Sequence, residues 1–162
     1  MIRYLTLVLF LCVLGCGVAP SKFDKTYPKF VEIKNSRSTI NHINDTTLLL
    51  SGISNDAQYG YTKGNPIMLG MSDINEGANN RTKYLNALAG PHGEPIIYRR
   101  LKPCCPFATP NYQVYAANSK FGLLERYEVS YQGIKEPIIL YINLYDEGSL
   151  YSPKGFLIKE GD

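Results

Sequence analysis

The chain has 162 residues, 44% of them hydrophobic and 19% charged, with 13 Tyr and no Trp. That supplies one domain's worth of core, excludes a (β/α)₈ barrel of roughly 250 residues, and argues against a wholly disordered chain. A net charge of +3 is too small to point to nucleic acid as a partner.

Met1-Ile2-Arg3-Tyr4 opens with a positive charge, and Leu5 to Leu14 is an almost unbroken apolar run ending in Gly15-Cys16. Ten or so apolar residues are too few to span a bilayer, so residues 1–15 read as a signal peptide. Val13-Leu14-Gly15-Cys16 is a lipobox pattern, with Leu14 bulkier than the residue usual at its place. It predicts cleavage before Cys16 and palmitate-type acylation of that cysteine. Ordinary secretion and a retained N-terminal anchor are the alternatives. A single acyl chain binds membranes only marginally, so stable attachment requires the multiple chains of a lipoprotein cysteine. Gly17, in place of an acidic residue, points to the outer membrane facing the periplasm. Residues 16–45 then form the lipidated cysteine and a tether, and 46–162 the globular domain.

Thr46 to Ile53 is a candidate buried strand. Turn chemistry at Tyr59-Gly60 through Asn65-Pro66 leads into a short strand, Ile67-Met68-Leu69. Asn79 to Ala89 is predicted as a helix, capped by Asn79 or Asn80, with Tyr84, Leu85 and Leu88 as its apolar stripe and Gly90-Pro91 as its stop. Ile96 to Leu101 reads as a strand. Large apolar residues alternate with polar ones over Tyr127 to Tyr131, and Gln132 to Glu136 has hairpin length. Pro137 to Tyr145 is the expected central strand, with Ile138, Leu140 and Ile142 on one face. The sum is an α+β single domain, a mainly antiparallel sheet with one or two short helices.

Cys104-Cys105 is the most unusual feature. Cys12 leaves with the signal and Cys16 takes lipid, so these are the two thiols of the mature domain. Adjacent Cα atoms lie about 3.8 Å apart, below the usual disulfide range of roughly 4.4–6.8 Å, so a bond between them is expected to be strained and reducible. Three readings stand: a structural disulfide in a rigid loop, buried or partner-linked free thiols, and a redox or metal function. Only His42 and His92 are available to complete a metal site, so neither metal nor cofactor is expected. His92 is either a catalytic base on a loop or an exposed turn residue. Asp146 and Glu147, after the strongest strand, are either a cation or acid–base pair or a solvated turn. Tyr59, Tyr61, Tyr112, Tyr115, Tyr141, Tyr145 and Tyr151 with Arg81, Arg99 and Arg100 can form a recognition surface, or the tyrosines can simply cover the sheet.

Tyr59-Gly60-Tyr61-Thr62-x-x-Asn65-Pro66-Ile67, the Arg81 to Leu88 segment with Gly90-Pro91-x-Gly93-Glu94, Cys104-Cys105-Pro106-Phe107, and Tyr141-Ile142-Asn143-x-Tyr145-Asp146-x-Gly148 resemble a family of small Bacteroidetes lipoproteins. The resemblance spans about residues 51–156, and the double-cysteine motif is its most specific part. It implies lipid anchoring but carries over no catalytic residue. Some members bear the name 2-dehydro-3-deoxyphosphooctonate aldolase, a chemistry performed by (β/α)₈ barrels, which this chain is too short to form.

The leading expectation is a non-enzymatic binding module bound to the membrane through Cys16, with an envelope protein or glycan as partner. The alternative is an envelope enzyme, hydrolytic or thiol-dependent, using Cys104/Cys105 with His92 or Asp146/Glu147. Several tyrosines lining one concave face with Arg81 or Arg99 would strengthen the binding reading; scattered, buried tyrosines would weaken it.

Overall fold

The computed structural model describes residues 42–70, 74–109 and 121–159, without the side chains of 42, 43 and 74–78. The proposed signal, Cys16 and most of the proposed tether lie outside this range, as do Tyr112 and Tyr115.

The two longest strands organise the rest. β7 (Gly122–Tyr131) and β8 (Ile138–Asn143) form an antiparallel hairpin that pairs Tyr127 with Leu140 and Val129 with Ile138. The alternation over Tyr127 to Tyr131 arises because alternate side chains face one buried layer. On the far side of β8 lies β3 (Ile67–Met68), parallel to it, with Ile67 opposite Ile142. The expected central strand is therefore central, and the sheet is antiparallel with one parallel edge.

The other edge of β7 carries two consecutive pieces. β5 (Ile96–Arg100) pairs with Tyr127 to Tyr131, and β6 (Cys104–Phe107) with Gly122 to Leu124. Pro103 and Pro106 supply no amide hydrogens to this edge, which fits its interruption and the shortness of β6.

Helix α1 (Ile74–Asn86) packs Tyr84 and Leu85, both fully buried, in the main core with Tyr127, Val129, Leu140 and Ile142. Each such side chain contributes on the order of 1.5–3 kcal/mol, which outweighs the weak helix propensity of a segment with four Asn and one Gly. A smaller core of Phe107 and Leu124, with Met68, Cys105, Tyr141 and Tyr145 against it, forms a second cluster.

Three expectations are corrected. The helix begins at Ile74, so Asn79 and Asn80 are interior and cap nothing; Asn80 is buried. It also ends three residues early. Leu88 and Ala89 leave it as β4 (Leu88–Ala89), pairing with β9 (Leu157–Ile158), because that strand satisfies their backbone groups instead. Of the expected strand from Thr46 to Ile53, only Thr47–Leu48 (β2) forms, paired with β1 (His42–Asn44) inside the stretch read as tether.

Candidate functional site

His92 does not converge with the predicted cysteines. Cys104 and Cys105 are joined in a disulfide, with Cα atoms 3.7 Å apart. The bond lies on a strand and not in a loop: Cys104 faces Leu124 and Pro106 faces Leu123, so Cys105 is the extra residue of a β-bulge. It adopts φ = 55°, the one left-handed non-glycine residue among those described.

His92 sits in the exposed turn before β5, where its amide donates to Glu94 Oε2 at 2.8 Å. That amide holds the Glu94 carboxyl below its ordinary value. Ile96 pairs with Tyr131 and Cys104 with Leu124. Seven residues of β7, about 23 Å at roughly 3.3 Å per residue, separate the two ends. His92 belongs to the far one and cannot serve the cysteines as a base.

Asp146 is no solvated turn residue. It is fully buried, accepting from Thr109 Oγ1 at 2.6 Å and from Asn143 Nδ2 at 2.9 Å. Asn143 Oδ1 in turn accepts the amides of Tyr145 and Asp146, an Asx-type lock on the turn after β8. Glu147 bridges to Leu69 across this turn. The Asp146 carboxylate is taken up by side-chain donors, and no cluster of three metal-ligating residues occurs among the described residues.

The Tyr–Arg surface is also not as expected. Tyr59 is buried, donating to Ser149 O and accepting from the Tyr151 amide. Burial raises its phenol to about 12. Tyr61, likewise raised to about 12 by burial, donates to Lys154 O. Tyr84 donates to Tyr151 O at 2.7 Å, and burial lifts it well above its ordinary value. Tyr141 and Tyr145 pack in the smaller core. These tyrosines build the interior. Arg99 pairs with Glu128 directly across from it on β7. Arg81 goes to Glu125, whose side chain faces the main core. The two arginines therefore do not share a face.

Sequence reasoning missed Glu125. It accepts from Arg81 Nη1 with both oxygens, at 3.0 and 3.1 Å, from Arg100, and from Tyr127 Oη at 3.1 Å. Burial and the neighbouring Glu125 charge push the Tyr127 phenol far up. Two guanidiniums on one carboxylate leave an excess positive charge, with Arg100 half exposed.

A groove of about 450 Å³ opens where the β1–β2 hairpin, the end of α1, β4 and the start of β5 meet. Leu85, Leu88, Ala89 and Ile96 supply apolar lining, and Thr46, Asn86, Tyr98 and Lys159 polar groups. Asn86 Nδ2 donates to Thr46 O at 3.2 Å, and Tyr98 Oη donates to Asn86 Oδ1 at a long 3.4 Å. Neither Asn86 nor Tyr98 stands out in the sequence, because the groove gathers residues from four separated segments. The sequence offers its apolar wall, with Leu85 and Leu88 in the apolar stripe and Ile96 in a strand, but not its polar groups. Comparisons with family models, curated proteins and solved structures return no match.

Proposed function

We propose that this chain is a lipid-anchored bacterial envelope protein, held through Cys16 on the periplasmic side of the outer membrane, whose body binds an envelope glycan without catalysis. The observation that carries the binding half is the mixed lining of the Tyr98 groove. Its volume falls within the range of about 300–1,000 Å³ common to small-ligand sites, which pair an apolar wall with a few placed polar groups. A sugar presents the same combination, apolar C–H faces beside ring hydroxyls. Tyr98 offers an aromatic body with a hydroxyl, Asn86 an amide, and Lys159 a donor at the rim. The long Tyr98–Asn86 bond is a weak one, so exchanging it for ligand hydroxyls costs little.

The anchoring half rests on Leu5 to Cys16, where a short apolar run ends at a cysteine. The resemblance to small Bacteroidetes lipoproteins points the same way. A glycan of the cell wall is then within reach of the tethered body.

The test is a titration of the full mature lipoprotein, in detergent, with a soluble peptidoglycan disaccharide-peptide. Saturable shifts of the Asn86 side-chain amide and the Leu88 methyls are expected, with the Leu140 methyls unmoved. Asn86→Leu should abolish the Leu88 shifts while leaving the fold intact. Unmoved Asn86 and Leu88 signals at millimolar glycan would sink the reading. An envelope protein as partner is the second reading, favoured by Ile97, which is 72% exposed on edge strand β5.

A further inference from the structure

Cys105 combines three features. It is a non-glycine residue in the left-handed region, the inserted residue of the β6 bulge, and half of a disulfide to its chain neighbour. Left-handed backbone is disfavoured for any residue with a Cβ and persists where surroundings over-determine it. Beyond this bond, the strand is held by Phe107 in the smaller core and by a short ladder. β6 pairs with only three residues of β7, Gly122 to Leu124, and Pro106 contributes no donor. Both cysteines are half-buried, so a small thiol can reach the bond.

We propose that Cys104–Cys105 is a reversible thiol–disulfide exchange site whose reduction by a dithiol releases β6 from β7. One thiolate of the dithiol attacks a cysteine sulfur, forming a mixed disulfide and expelling the other cysteine as a thiolate, which takes up a proton. The second thiol of the reagent, losing its proton, then displaces the bound cysteine, which is protonated in turn. Two electrons and two protons pass to the protein, and the dithiol leaves as a disulfide. Freed of its partner, Cys105 returns to negative φ, and the two-against-one register opposite Leu124 is lost. Phe107 then loosens from Leu124 and Tyr145. Thr109, two residues on, carries the change to buried Asp146 through its hydroxyl. The site is independent of the glycan groove, which lies at the other end of β5.

The experiment equilibrates the full mature chain in dithiothreitol redox buffers, traps thiols by alkylation, and follows intact mass and hydrogen exchange together. The pair should reduce as one two-electron unit while the fold persists. Exchange over residues 104–109 should rise about tenfold or more as local opening becomes easier, with β8 unchanged. Cys105→Gly, which tolerates φ = 55° without any bond, should retain the oxidised pattern over these residues. The Cys104→Ser/Cys105→Ser double variant should show the reduced one. Reduction only on global unfolding, or unchanged exchange across β6 in the reduced protein, overturns the proposal.

Discussion

Glu125 shows how much one carboxylate can organise. Its side chain is only 8% exposed and serves two guanidiniums and a phenol. Removing it leaves Arg81 and Arg100 facing one another without a counter-charge. A fully buried pair broken in this way costs about 3–5 kcal/mol. Arg81 and Arg100 are 23% and 49% exposed, so solvent recovers part of that loss. Glu125→Ala should therefore destabilise by about 2 kcal/mol, read from urea unfolding midpoints. The comparison is Glu128→Ala, whose partner Arg99 is 70% exposed; there the cost should stay below about 1 kcal/mol. Equal costs would mean that burial does not distinguish the two carboxylates. The interior tyrosines make a different prediction. Tyr59 and Tyr84 have folded-state values raised above the ordinary 10.0, so the native state holds their protons longer than the unfolded chain. Their contribution is complete below pH 10 and falls as pH rises through the folded values, about 12 for Tyr59. Ultraviolet difference absorbance should show a slow-titrating tyrosine class that ionises together with unfolding. A single titration at the ordinary value would contradict it.

At the level of elements, what the sequence revealed depended on how local the cause was. β5, β8 and the Tyr127–Tyr131 half of β7 announce themselves because one face is buried over consecutive alternate residues, a pattern carried within each segment. α1 is half legible: Tyr84 and Leu85 mark its buried turn, but its start lies among Asn and Gly residues whose propensity says little. Glu125 was illegible because Arg81 and Arg100 lie 44 and 25 residues away. In addition, Leu124 and Glu125 are both buried because the smaller and the main core cover opposite faces of β7 there, so the alternation read over Tyr127 to Tyr131 does not extend to them. The groove needs four segments at once, and no local pattern encodes that. The turn joining β3 to the chain beyond it can be tested directly. Gly70 has φ = +58°, and a Cβ there would lie 1.9 Å from Glu147 Cγ. Gly133, with φ = +92° and open space around it, isolates the backbone effect. Gly133→Ala should cost about 1–2 kcal/mol. Gly70→Ala should cost more, because Glu147 must also move and with it the turn that buries Asp146. Thermal unfolding of the two variants compares them, and equal losses would remove the clash from the account.

Across the whole molecule, the proposed anchor and the sheet body divide the work. No helix among the described residues is long and apolar enough to cross a membrane, so within the proposal membrane affinity is assigned to Cys16 and its acyl chains. Each buried methylene adds about 0.8 kcal/mol, and one chain alone holds a protein only marginally. Losing the modified cysteine should consequently act as a switch and not as a gradation. Cys16→Ala should leave an unprocessed or soluble form, detected by intact mass and by its shift from the membrane fraction to the soluble one. The body's fold should be unaffected, since its two cores are built from residues at Leu48 and beyond. Circular dichroism and the mobility of the Cys104–Cys105 disulfide form on non-reducing gels should match the parent protein. If a processed Cys16→Ala, shown by intact mass to lack residues 1–15, remained fully membrane-bound, attachment would have to come from the body itself, and the envelope address would lose its physical basis.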